Sequence, residues 1–247
     1  MRRLWPDPTE VDDVDALVAA EARPLPVGRP WLLVNMIASL DGAVTVEGRS
    51  GQLGQPADRA VFFALRAVAD VVLAGAGTVR VERYGPARLS EAQRSARRAR
   101  GQADVPAVAV ITRSLQLDLD SPLFRSEDSR PIVVTCEASP PDRRRAVAEV
   151  ADVVVVGEDD VDLGAAVAEL GGRGAEVVTC EGGPRLNGDL LAADVIDEWD
   201  LTVSPLLVGD TSDRSSVGPR PASPRAYELD RLLEGDGLLL GRWVRTR

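Results

Sequence analysis

Two glycine-bearing stretches follow apolar runs in this sequence, and both are suited to holding a charged ligand. The first, LAGAGTVRVE (73–82), sets Gly75, Gly77, Thr78 and Val79 at the end of the run DVVLAG. The second, TCEGGPRLNGDLLAA (179–193), sets Glu181, Gly182 and Gly183 before Pro184. Glycine lets backbone N–H groups approach a phosphate closely, and a helix start adds a favourable dipole. Pro184 suits a first helical position, where its missing N–H costs nothing. The first stretch is not G-x-G-x-x-G, because Arg80 stands at the sixth position, and taken alone it equally describes a strand-to-helix turn that holds nothing. Together, at the carboxyl ends of two buried strands, the pair describes a dinucleotide crevice better than either does separately.

A third stretch bears on which dinucleotide. The run AVAVIT ends in Thr112-Arg113-Ser114, without an acid. An acidic residue there would suit a free ribose 2′-hydroxyl, whereas Arg with hydroxyls suits a 2′-phosphate. The alternative is a solvated turn; the chemistry favours NADPH over NADH.

Absences narrow the reaction further. The sequence has no histidine, which excludes a Ser-His-Asp triad, a histidine proton shuttle and a histidine-ligated zinc. Its two cysteines, Cys136 and Cys180, are far apart in or at the end of apolar runs. They read as buried thiols in a reducing cytoplasm, with no metal site and no disulfide framework. Catalysis must then rest on carboxylates, hydroxyls, Arg or Lys, backbone amides or a cofactor, and hydride transfer suits that set.

Partners are narrowed in the same way. A net charge of −10 argues against nucleic acid, which calls for a basic face. The one basic run, Arg94 to Arg100, alternates with Ala and Ser and reads as a solvated helix face. No segment approaches the ~18 apolar residues of a membrane span, and the N-terminus MRRLWPDPTEVDD turns acidic too soon for a signal peptide. A cytoplasmic protein is expected.

The elements that must position these stretches follow from apolar spacing. Residues 9–22 have helical spacing with Thr9 as N-cap, and 58–69 form a second helix with apolar positions three and four apart. SEAQRSARRARG (90–101) is a polar helix with Ser90 as cap and Gly101 as stop. WLLVNMI, DVVLAG, PAVAVIT, RPIVVT, DVVVVG and AEVVTCEGG read as strands, with helices at about 141–150 and 161–170 between the last three. Such alternation packs helices on a largely parallel sheet. DEWDLTVSPLLVG (197–209) is a further strand, and DTSDRSSVGPRPASPR (210–225) reads as a mobile surface loop. The last 22 residues read as an antiparallel hairpin around Gly235-Asp236-Gly237. With 247 residues, a single domain over 30–247 behind an N-terminal extension of 1–29 is expected.

These pieces resemble a known family. Asn35-x-x-x-Ser39-Leu40-Asp41-Gly42, Gly75-x-Gly77-Thr78-Val79, Glu181-Gly182-Gly183 and DEWDLTVSPLLVG occur in the order found in the pyrimidine reductases of riboflavin biosynthesis. The sequence is similar to the reductase domain of the bifunctional deaminase-reductase over about residues 30–245. The resemblance implies a dihydrofolate-reductase-like α/β fold: a mixed, mainly parallel central sheet with helices on both faces and an antiparallel C-terminal hairpin. It also implies NADPH as hydride donor, a homodimer, and 5-amino-6-(5-phosphoribosylamino)uracil or its diaminopyrimidine relative as substrate, whose ring-opened ribosylamine is reduced. No deaminase activity is expected, since that zinc site needs a histidine.

The resemblance also assigns residues. The loop from Ser39 through Asp41, Gly42 and Thr45 to Ser50 and Gly51 would shape the cleft between cofactor and substrate, although Asp41 could equally turn the loop at its own glycine. Many family members carry Lys where Asn35 stands, and T-V-x-x-D-x-P where this sequence has Thr78-Val79-Arg80-Val81-Glu82-Arg83-Tyr84. QPADRAVFF is similar to the dihydrofolate reductase helix that sets an aspartate against the pterin. By that match Asp58 would hold the amino-pyrimidine edge or supply the proton, with Glu82 as second choice; as a plain alternative Asp58 is a first-turn acid favoured by the helix dipole. Arg66, Arg80, Arg83 and Arg88 are the candidate cations for a substrate phosphate. A dihydrofolate or other pterin reductase, a catalytically idle NADP-binding module, and a structural α/β protein with no ligand are the alternatives.

Overall fold

The computed structural model describes residues 1–209 and 212–246. Its parallel strands are β3 (Trp31–Ser39), β4 (Val71–Gly75), β5 (Ala107–Ile111), β6 (Ile132–Thr135), β7 (Asp152–Val155), β8 (Val177–Cys180) and β9 (Glu198–Ser204). Short β-branched runs fill them, as expected of strands covered on both faces. The antiparallel flank is built from β1 (Arg2–Trp5), β2 (Thr9–Glu10), β10 (Tyr227–Gly235) and β11 (Leu238–Arg245). All join one sheet in the order β2-β1-β10-β11-β9-β3-β8-β4-β5-β6-β7. The seven strands from β9 to β7 run parallel, and β11 pairs antiparallel to β9, with Arg242 opposite Asp200 and Leu240 opposite Thr202. The mixed sheet and the C-terminal hairpin are those expected from the sequence.

Helices cover both faces. On one face α1 (Val14–Ala20) and α2 (Pro56–Val68) pack on Trp31, Leu33, Leu233, Leu238 and Leu240. On the same side α3 (Ala76–Val81) and α5 (Pro141–Ala148) cover Val72, Val108, Val110 and Val133. On the other face α6 (Leu163–Gly172) and α7 (Pro184–Ala192) bury Leu163, Val167, Leu170, Leu186 and Leu190 against Leu32, Val34 and Val178. The N-terminus of α2 has no side-chain cap of its own. Asp236 in the hairpin turn supplies one, accepting the Ala57 N–H at 2.8 Å. The C-terminal hairpin thereby holds the first turn of α2, binding the residue just before Asp58.

Four local expectations are corrected. Thr9 does not cap a helix; Thr9–Glu10 pair with β1, and Asp13 caps α1 by accepting the Ala16 N–H at 2.8 Å. Residues 1–20 therefore add two strands and a helix to the sheet. The basic run is not wholly solvated. Arg97 of α4 (Glu91–Ala99) is buried and donates to the carbonyls of Ala67, Ala69 and Ala103, and Arg100 donates to Ala67. The last carbonyls of α2 lack helical partners, and these guanidinium groups satisfy them. The loop expected to be mobile begins with Asp210 and Thr211, which lie outside the described residues. From Ser212 onward it is docked. Asn187 Nδ2 donates to the Ser215 carbonyl at 2.8 Å, and the Val217 N–H donates to the Pro184 carbonyl at 2.9 Å. Lastly, the strand over 197–209 is shorter than expected and ends at Ser204.

Alternation along β9 turns Glu198, Asp200, Thr202 and Ser204 to the buried side. Arg23 donates to both Glu198 oxygens, while the Trp31 indole and Arg242 donate to Oε2. Glu21 bridges Arg23 and Arg231, and Arg231 also donates to Asp200 at 3.2 Å. Each buried charge on this face is thus paired, the condition for keeping ions out of water.

Candidate functional site

The two glycine stretches lie side by side at the carboxyl end of the sheet. Strands β4 and β8 are neighbours, and the Gly75 N–H donates to the Gly182 carbonyl at 2.8 Å. A Cβ on Gly183 would stand 2.7 Å from Thr78 Oγ1, so the second loop passes directly over the start of α3. Gly182 has φ +85°, a left-handed conformation that favours glycine, and the Gly182–Gly183 peptide is cis. Pro184 takes the first turn of α7. A Cβ on Gly77 would meet nothing within 4 Å, leaving open space over the first turn of α3. Bare backbone and two helix starts side by side fit a dinucleotide phosphate. Val79 is buried in the core beneath them.

Thr112, Arg113 and Ser114 follow β5, one strand further out. The hydroxyl of Thr112 accepts the Leu115 N–H at 3.1 Å, and that of Ser114 accepts the Gln116 N–H at 3.4 Å. Both act locally in the turn, while Arg113 is exposed and makes no hydrogen bond or ion pair among the described residues.

The turn after β3 is tied at several points. The Asp41 carboxylate accepts the Ser39 hydroxyl and the N–H groups of Val208 and Gly209, the last at 2.7 Å. These hydrogen bonds, that from Ser39 first, hold its pKa down to about 2. The Thr45 hydroxyl lies 3.1 Å from Ser212 Oγ. Glu82 reaches back to the same loop, where its Oε1 accepts both the N–H and the hydroxyl of Ser50 at 3.0 Å.

On the α2 face, Asp58, Phe62 and Arg66 recur every fourth residue and share one stripe of the helix. Burial raises the Asp58 pKa, and a hydrogen bond with Thr202 of β9 opposes that shift without cancelling it. Gly54 passes over this carboxyl so closely that a Cβ there would stand 2.8 Å from Asp58 Oδ2. Asn35 is half-buried on β3, in register with Asp200. Arg66 forms a two-pronged pair with Glu181, at 2.6 and 2.7 Å. Burial works against its charge, but Glu181 and Tyr84 together raise the guanidinium pKa. Arg80 donates to the Gln116 carbonyl at 3.0 Å, and Arg83 and Arg88 make no such contact among the described residues.

Sequence reasoning left out Thr202, Ser212 and Asn187. Thr202 had a usable signal, since the alternation Glu198-Asp200-Thr202-Ser204 places it with the polar buried row. Ser212 and Asn187 had none, because their partners are 167 and 28 residues away.

Comparison with known proteins places the chain by family and fold. The family model described as the RibD C-terminal domain matches residues 30–233. A curated relative from Archaeoglobus fulgidus, named 2,5-diamino-6-ribosylamino-4(3H)-pyrimidinone 5′-phosphate reductase, is 29% identical over 182 residues. That match covers 73% of this chain and 83% of the relative. A pyrimidine reductase-like protein from Corynebacterium diphtheriae has a solved structure with TM-score 0.83 and 25% identity, covering 95% of this chain and 99% of that one. A Saccharomyces riboflavin biosynthesis reductase, 18% identical, shares the fold at TM-score 0.67 over 91% of this chain and 93% of its own.

Proposed function

The chain belongs to the RibD C-terminal domain family, and from that premise we propose that it is an NADPH-dependent reductase of a phosphoribosylaminopyrimidine. The substrate is the diaminopyrimidinone named in the Archaeoglobus relative or its deaminated uracil counterpart. The observation that carries this reading is the Gly75–Gly182 hydrogen bond, at 2.8 Å. It joins two helix starts into one anion-receptive surface next to the Ser39–Asp41 turn.

The diphosphate of NADPH would lie over Gly75, Gly77, Thr78 and Gly182 to Pro184, with Thr45 near the nicotinamide end. Thr112, Arg113 and Ser114 would meet the adenosine 2′-phosphate. When bound, the cofactor supplies a hydride for the imine carbon of the ring-opened ribosylamine. Asp58, whose pKa burial raises, donates the proton that the adjacent nitrogen needs, or holds the amino-pyrimidine edge. Such acid–base action contributes roughly 10²–10⁴-fold, and positioning contributes much of the rest. Asn35, Ser39 and Asp41 line the substrate side. Arg66 faces the substrate phosphate, with Arg83 as an outer cation. Eight residues separate Asp58 from Arg66, about 12 Å along α2, a span suited to a pyrimidine at one end and a phosphate at the other. Glu82 serves by holding Ser50 and its loop in place.

The protein is further proposed to act as a cytoplasmic homodimer without deaminase activity. On the face of the sheet away from α2, Leu239 is exposed while Leu201 and Trp243 are half-buried, an apolar surface that a second copy would cover. Light scattering of the purified protein tests this.

The decisive experiment follows NADPH oxidation with the diaminopyrimidine phosphate, the uracil phosphate and dihydrofolate offered separately. Turnover with either phosphoribosylaminopyrimidine supports the reading. Turnover with dihydrofolate alone makes the protein a pterin reductase, and tight NADPH binding with no turnover makes it a binding module.

A further inference from the structure

Arg66 is held by three residues, Glu181, Phe62 and Tyr84. Its Nε donates to Glu181 Oε1 at 2.6 Å and its Nη2 to Oε2 at 2.7 Å. The Tyr84 hydroxyl donates to the same Oε2 at 2.6 Å. The guanidinium carbon lies 4.3 Å from the Phe62 ring centre and 5.7 Å from that of Tyr84, within reach of cation–π attraction. Nη1 is left over. It has no partner among the described residues, and it is not among the buried unpartnered atoms, so solvent reaches it.

We propose that Tyr84 is a positioning residue which, through Glu181, aims Arg66 Nη1 at the phosphate monoester of the substrate. The proposal rests on the reductase reading above and assigns its phosphate selectivity to a residue outside the glycine and Ser39–Asp41 motifs. Glu181 neutralises Arg66, so the pair attracts an anion less by bare charge than by a directed N–H group. Direction is what Tyr84 adds. With only Arg66 as donor, the Glu181 carboxylate can swing and take the guanidinium with it. A third hydrogen bond to the carboxylate, from Tyr84, and a ring against the guanidinium remove that freedom before substrate arrives, which is how a supporting shell sharpens a binding group. The phenol remains a donor throughout, because burial and then Glu181 raise its pKa well above the ordinary range. Lysine could not replace Arg66, since one ammonium cannot grip a carboxylate with a fork and still present a fixed second edge.

The test uses Tyr84→Phe, which keeps the ring and removes only the hydroxyl. Steady-state rates are measured with the phosphorylated aminopyrimidine and with the same compound after dephosphorylation. The KM for the phosphorylated substrate should rise roughly five- to thirtyfold, while kcat and the NADPH dissociation constant stay near wild type. The weaker turnover of the dephosphorylated compound should be unchanged. Arg66→Lys should raise the KM for the phosphorylated substrate at least as far. Equal losses on both substrates, or none on either, would overturn the proposal, because a residue that only packs its loop would not distinguish them. If the wild-type protein oxidises NADPH with neither pyrimidine, the reductase reading fails separately. Titration with ribose 5-phosphate then decides this inference: weaker binding to Tyr84→Phe than to wild type upholds it, and equal or absent binding ends it.

Discussion

Asp41 accepts the backbone N–H of Gly209 at 2.7 Å, so the turn that leaves β3 grips the segment that leaves β9. The two strands are parallel neighbours, and this carboxylate ties them together beyond the last ladder bond. Its pKa, about 2, lies below that of the unfolded chain. The tie therefore stabilises above the ordinary carboxylate range and is lost as pH falls through about 2. Asp41→Ala should lower the melting temperature at pH 7 and remove part of the acid sensitivity seen below pH ~4. Thermal melts from pH 2 to 7 check this; parallel curves for variant and wild type would show that Asp41 bears no such load.

Asp58 titrates in the opposite sense. Burial raises its pKa, so the folded state holds the proton more tightly than the unfolded one. Stability declines as pH rises from the ordinary aspartate value to the raised one, and the acid form needed for proton donation disappears over the upper part of that window. Asp58→Asn should cut kcat by roughly 10²–10⁴-fold and abolish the limb of the pH–rate profile that Asp58 causes. NADPH binding, followed by fluorescence, should be unchanged. Unaltered turnover would remove Asp58 from the chemistry.

The asymmetry between these carboxylates explains how much the sequence disclosed. The helix that carries Asp58 was legible because a helical period can be read within a dozen residues, whereas a role for Asp58 itself came only from the resemblance to the dihydrofolate reductase helix. The glycine loops were legible because an apolar run that meets Gly-x-Gly is a local pattern. Apolar periods likewise predicted the parallel strands and the terminal hairpin. The partners of Asp41, at Val208 and Gly209, were not legible, since 167 and 168 residues intervene. Arg97 failed for the same reason: its sequence neighbours are polar, and the carbonyls it serves belong to α2, 28 and 30 residues earlier. Thr9 failed because strand pairing with β1 overrode a plausible helical period, as tertiary contacts do when local propensity is weak.

The ionic cluster beneath α2 should govern global stability. Burial alone would raise the Glu198 carboxyl, but Arg23 and Arg242 hold it at about 2. Asp200 moves the other way, pushed up by burial and then by Glu198. Arg23→Ala leaves Glu198, which is fully buried, with a net loss of cationic partners. It should destabilise the protein by about 3–5 kcal/mol, read from urea unfolding midpoints. A loss below about 1 kcal/mol, the range of exposed pairs, would mean that water reaches the cluster.

Gly188 tests whether the docked segment after Ser212 serves the glycine loop. A Cβ at this position would lie 2.3 Å from the Val217 carbonyl oxygen and 2.8 Å from the Gly218 nitrogen. Both are backbone atoms, so no side-chain rotation relieves the contact. Gly188→Ala must therefore push the 217–218 backbone off α7, stretching the Val217–Pro184 hydrogen bond at 2.9 Å. The helix itself should gain slightly from alanine, by about 1 kcal/mol or less, whereas crowding costs typically 1–3 kcal/mol. A modest net fall in the melting temperature is expected. The more telling readout is the NADPH dissociation constant, because Pro184 adjoins Gly182 and Gly183. Weaker cofactor binding in a variant that still folds would tie the docked segment to the dinucleotide site. Unchanged binding would confine its role to covering α7.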